Sequence, residues 1–173
     1  MKDTVIDAAF HRYNANSQDK NVGDCVKRAL SYAYGMDYND VGRILNRIKN
    51  EVGSIAYNVY NTYSRFLKAR GAVPLAKSEY EGMTEDEFCA KHPSGVYILL
   101  TGTAKSGHQS HMVCIFNGDI VDSWNSSDYV VYEGWKIPNV STEVSDVVWE
   151  DIEQELNTFI DTYIEESINK KYH

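Results

Sequence analysis

Three side chains far apart in the chain have the types needed for thiol chemistry: Cys25, His111 and Asp122. A cysteine attacks as its thiolate, so it needs surroundings that lower its pKa. Cys25 follows a Gly-Asp pair and opens an apolar-periodic segment, CVKRALSYAYG. That places it in the first turn of a helix, where unpaired N–H groups and partial positive charge favour the thiolate. The same N–H groups could hold an oxyanion beside the sulfur. Taken alone, Cys25 reads more simply as a small buried hydrophobe, the usual fate of a free cysteine.

His111 and Asp122 change that balance through strand register. Asn117-Gly118 lies between two apolar runs, HMVCIF and DIVDSW. Asn-Gly in that setting is the strongest local signature of a two-residue hairpin loop. Such a loop pairs Phe116 with Asp119, Val113 with Asp122 and His111 with Trp124. Asp122 is then the diagonal neighbour of His111 on one face of the sheet, within reach of its ring. An aspartate there holds the imidazole in one tautomer and stabilises its charged form. Nucleophile, base and orienting acid together make an activated thiol. A three-residue loop, Asn117-Gly118-Asp119, would shift the register by one and make Asn125 the orienting residue instead. The two-residue loop is the commoner form, so Asp122 is the expected third member.

The elements that must position these residues follow from periodicity. Asp24 suits the N-cap of the first helix, whose apolar face is Val26, Ala29, Leu30 and Ala33, with Gly35 as its stop. A second helix spans DYNDVGRILNRIKNEVG, and a third runs from Tyr57 to Arg70. A short fourth starts at the capping box Thr84-Glu-Asp-Glu87 and ends before Pro93. GVYILLTG (95–102) reads as a buried strand, and DYVVYEGW (128–135) as a third strand of the hairpin's sheet. Residues 1–20 lack periodicity and read as an arm; 143–171 carry the apolar stripe of a long closing helix. Helices first, then a small antiparallel sheet, then a helix make an α+β domain covering 1–173.

Composition narrows the function. The chain has 173 residues, 43% hydrophobic and 24% charged, enough for one well-packed domain. Its net charge of −8 argues against a nucleic-acid surface and against docking on anionic membranes. With no export signal or apolar span, the expected location is the cytoplasm. An odd count of three cysteines there argues against a disulfide framework. Cys89 and Cys114 read as core. His108, His111 and Cys114 are all metal-ligand types, but on a strand 108 and 114 face away from 111, so no metal is expected. Tyr57, Tyr60 and Tyr63 step by three, which reads as packing against the next helix rather than a peptide-contacting surface. His11 and His92 read as surface residues.

The box NVGDCVKRALSYAYGMDYNDV, followed downstream by GHQSHMVCIFNGDIVDSW, resembles small papain-like cysteine peptidase-fold proteins of bacteriophages and bacterial mobile elements. Those carry a D-C-V-x-R-A box and a later G-H-x-V box ending in D-T/S-W. Asp122-Ser123-Trp124 is similar to the Asn-Ser-Trp of papain, and the cysteine box is similar to that of ovarian-tumour-type deubiquitinases, G-N-C-L-x-R-A-L. The two boxes cover about a quarter of the chain. The resemblance implies a papain-like fold with Cys25 as nucleophile, His111 as base and Asp122 as third member. Papain-type enzymes have an oxyanion-donating Gln six residues before the cysteine; here that position is Asp19, and Gln18 or Asn21 are the nearby amide donors. Papain's Trp after the cysteine is Val26 here.

The expectation is a cofactor-free hydrolase of amide or isopeptide bonds in a peptide or protein substrate, working in a host cytoplasm if phage-encoded. The other readings are a host-factor-binding module, with a protein partner on the C-terminal helix, and a peptidoglycan amidase.

Overall fold

A computed structural model describes residues 10–16 and 23–138. Gln18, Asn21 and the helix expected at 143–171 lie outside the described residues.

The described chain is α+β, with four α-helices and a six-stranded mixed sheet. The helices are α1 (Cys25–Tyr34), α2 (Tyr38–Val52), α3 (Tyr60–Ala69) and α4 (Glu85–Lys91). The strands are β1 (Phe10–Arg12), β2 (Val73–Pro74), β3 (Val96–Gly102), β4 (His111–Phe116), β5 (Asp119–Asp122) and β6 (Val130–Ile137). Their order across the sheet is β1-β5-β4-β3-β6-β2.

The structure departs from the sequence expectation at two elements. The 1–20 segment is not all arm: Phe10–Arg12 pairs in parallel with Ile120–Asp122, and the Tyr13 N–H donates to the Asp122 carbonyl at 2.7 Å. This makes the sheet mixed rather than purely antiparallel. The third helix starts at Tyr60, not Tyr57.

The sheet is covered on both faces, which explains the unbroken apolar run of β3. Val96, Ile98 and Leu100 pack with Met112, Cys114 and Trp135 under Val26, Ala29, Leu30 and Ala33 of α1. Helices α2 and α3 extend that layer with Val41, Leu45, Phe66 and Leu67. Tyr97, Leu99, Val113, Ile115 and Ile120 face the other way, toward Phe88 and Cys89 of α4. Cys89 and Cys114 are therefore core residues. Helix α4 opens with the expected capping box, in which the Glu87 N–H and the Thr84 N–H bond the opposite side chains.

The hairpin fixes the working end of the sheet. Asn117 and Gly118 both have positive φ, at 48° and 81°. That is the type I′ turn whose twist matches antiparallel strands. Phe116 pairs with Asp119, Ile115 with Ile120 and Cys114 with Val121, as a two-residue loop requires. The β3–β6 ladder slips between Leu100 and Thr101, a bulge at the strand end where Thr101 pairs with His111. Beyond it Gly102 is needed for close approach, since a Cβ there would lie 2.3 Å from the His108 carbonyl oxygen.

Candidate active site

The first turn of α1, the first residue of β4 and the last of β5 meet at one end of the sheet. Helix α1 lies across β4 because its apolar stripe packs on Met112 and Cys114. Cys25, its first residue, thereby reaches the start of β4. The His111 side chain and the Met112 backbone N–H stand beside the Cys25 sulfur, and both favour its thiolate. On the other side of the ring, His111 Nε2 lies 2.5 Å from Asp122 Oδ2. Since Nε2 serves Asp122, Nδ1 is the nitrogen left for the thiol.

Asp122 is 3% exposed and held on every side. Its Oδ1 accepts the Ser123 N–H at 2.7 Å and lies 3.4 Å from Arg28 Nη2. Arg28, one turn into α1 and 5% exposed, also forms an ion pair with Asp24. The Tyr38 hydroxyl donates to Asp24 Oδ2 at 2.6 Å. Asp24 thus stands at the N-cap position, yet its carboxylate does not cap the helix. It is committed to Arg28 and Tyr38 instead. One guanidinium between two buried carboxylates leaves one negative charge over, which an imidazolium at His111 balances.

The titration of the pair follows. Burial alone would lower the His111 pKa, but its bonds to Asp122 and Cys25 and their charges raise it to about 9. Burial alone would raise the Cys25 thiol; the hydrogen bond and charge of His111, with the Met112 N–H, outweigh it and bring the thiol below its ordinary value. The other two thiols go the opposite way. Cys89 is pushed up to about 12 by burial and by Glu85 and Asp86, and Cys114 is pushed up by burial. A thiolate–imidazolium pair at Cys25 and His111 is what this electrostatic setting favours.

Comparison with protein-family models, curated proteins and solved structures gives no match for this chain.

Asn125, the alternative third member, is not brought to the ring. Its Oδ1 accepts the Ser127 N–H at 3.1 Å in an exposed turn, because the observed hairpin register points Asp122 at His111. His108 sits exposed with Nδ1 2.9 Å from the Ser106 carbonyl, far from any shared site with core Cys114. Among the described residues no group of three His, Cys, Asp or Glu could hold a metal ion. His11 is exposed, as expected, whereas His92 is half-buried and stacks on Phe88 with centroids 4.3 Å apart.

Several neighbours of the site are not among the sequence candidates. Arg28 and Tyr38 are two; the Asp24/Arg28 spacing of four was a readable signal for the first. Trp124 and Tyr129 wall the His111 ring, with centroids 5.1 and 6.0 Å from it. The register does place Trp124 opposite His111, so that contact was readable too. The tyrosine stripe divides. Tyr63 is core, while Tyr60 is 47% exposed and donates to Glu133 Oε1 at 3.0 Å. Tyr57 is half-buried, and its hydroxyl pKa is raised by burial and then by the charge of Cys25.

Asp122→Ala is expected to slow turnover by about 10² to 10⁴, the scale for losing the group that orients a catalytic imidazole. The fold should persist, since Arg28 keeps Asp24. Asn125→Ala should leave the rate near that of the parent. Steady-state kinetics of the two variants, with far-UV circular dichroism, checks both.

Proposed function

We propose that this chain is a papain-like cysteine hydrolase that cleaves an amide or isopeptide bond. The observation that carries the reading is the His111 ring held between the Cys25 thiol and the Asp122 carboxylate. The sequence resemblance to papain-like proteins of phages and mobile elements supports the catalytic set, and a peptide or protein is the expected substrate. If the chain is phage-encoded, its place of action is the host cytoplasm. No helix of the described residues is long and apolar enough to cross a membrane.

The steps use this chain's own groups. The Cys25 thiolate attacks the carbonyl carbon, a C–S bond forms, and the carbonyl electrons move to oxygen. The Cys25 backbone N–H, at the open end of α1, faces that charge. Gln18 and Asn21 are the candidate second donors. The oxyanion collapses, the C–N bond breaks, and the imidazolium of His111 gives its proton to the leaving amine. Neutral His111 then takes a proton from water as its oxygen attacks the thioester. The thiolate departs and the ion pair is restored.

Acid quenching during turnover of a panel of peptide amides, isopeptides and activated acyl esters tests this. Intact-mass spectrometry should show one acyl group on Cys25, and Cys25→Ala should lose both adduct and turnover. The pH profile should be bell-shaped. Its rising limb follows the lowered Cys25 thiol, and its falling limb lies near 9, where His111 loses its proton. No adduct from any acyl donor would shift the reading to a binding module on the same scaffold.

A further inference from the structure

Glu85 is fully buried, yet none of the steps above uses it. Its Oε1 accepts the Thr101 hydroxyl at 2.8 Å and its Oε2 accepts the Ser126 hydroxyl at 2.7 Å. Thr101 is the β3 residue paired with His111. Ser126 lies in the β5–β6 loop that carries Trp124 and Tyr129, the two rings against His111. The backbone reinforces the link: the Glu85 N–H donates to the Tyr129 carbonyl at 2.9 Å, and the Asp86 N–H to the Ser127 carbonyl at 3.2 Å. One carboxylate therefore ties the aromatic wall of the site to the strand that backs the histidine.

We propose that Glu85 is a positioning residue for the Cys25–His111 pair, clasping the β5–β6 loop so that Trp124 and Tyr129 stay packed against the His111 ring. The inference rests on the hydrolase reading for its consequence in turnover, though not for its test. A glutamine of the same shape could keep both contacts without burying a charge, accepting from one hydroxyl and donating to the other, so the acid has an electrostatic role to explain. Its neighbours supply one. From β4 comes the His111 charge and from β5 that of Asp122; β3 supplies the Thr101 hydroxyl and the β5–β6 loop the Ser126 hydroxyl. Cys89 and Asp86 lie on its own helix. Burial raises the Glu85 pKa to about 7, against the pull of both hydroxyls and of His111. Ionised Glu85 favours the imidazolium and accepts from both hydroxyls. Once protonated, it removes that charge, and one hydroxyl must turn round or let go, which loosens the loop.

NMR titration of the His111 ring carbons and the Trp124 indole N–H, in wild type and Glu85→Gln, tests this without needing a substrate. In the wild type both signals should show an inflection near 7, in addition to the His111 midpoint near 9. In Glu85→Gln the inflection near 7 should vanish and the His111 midpoint should fall. Titrations that superimpose in the two proteins would overturn the proposal. If Glu85→Gln does not fold, Ser126→Ala decides: losing a donor to the carboxylate should move the neutral inflection upward, and an unmoved inflection would overturn the proposal. Titrations that behave as expected in a protein without turnover would uphold the Glu85 coupling while removing the hydrolase reading.

Discussion

His111→Ala should lower turnover by about 10³ to 10⁴, near the upper end for losing a general acid–base group. The loss has two parts. The leaving amine has no proton donor, and the Cys25 thiol loses the hydrogen bond and charge that bring its pKa down. Burial, which opposes ionisation, then dominates and the thiol rises. Stability should change in a pH-dependent way. His111 titrates near 9 in the folded chain against about 6.5 when unfolded. The folded state therefore holds the proton more tightly, and that contribution is full below about 6.5 and lost as pH rises through about 9. Wild type should lose this increment of stability across that window; His111→Ala should not. Denaturant midpoints at several pH values, beside rate measurements, report both effects.

Arg28→Leu should cost about 3–5 kcal/mol of stability, because it removes the one cation shared by two buried carboxylates. Asp122 would keep the His111 imidazolium and the Ser123 N–H, but Asp24 would keep only the Tyr38 hydroxyl, a bond that cancels no charge. Arg28→Lys should recover only part of the loss, since an ammonium cannot fork between two carboxylates. Chemical denaturation of the three proteins gives the comparison. A change below about 1 kcal/mol for Arg28→Leu would mean that the ion pairs are solvated rather than structural.

The parts of the site that could be read from sequence are those set by local rules. Asn117-Gly118 dictates its own turn, and the turn dictates the register that brings Asp122 to His111. The apolar spacing after Asp24 fixes where α1 lies on the sheet, and hence where Cys25 sits. Strand β1 could not be read in the same way. Its three residues, Phe10-His11-Arg12, are all exposed and show no alternation, and their partner strand lies about 110 residues downstream. Helix α3 could not be bounded because Tyr57 and Tyr60 continue an apolar step that only the three-dimensional packing interrupts. Asp24 stands at the N-cap position as read, but its carboxylate is drawn elsewhere. An aspartate before a helix normally caps it, but a buried arginine one turn later is a stronger partner. The role of Glu85 is non-local, since Thr101 and Ser126 lie on separate elements and an acid in the first turn of a helix is explained without them.

Whether Cys25 is an activated nucleophile is tested most directly by its chemical reactivity. The folded protein would be exposed briefly to a haloacetamide near neutral pH, quenched, digested and mapped by mass spectrometry. Labelling should fall on Cys25 alone, with Cys89 and Cys114 protected by burial and raised pKa. It should be largely lost in His111→Ala. Equal labelling of all three cysteines, or a Cys25 that reacts only after unfolding, would contradict it.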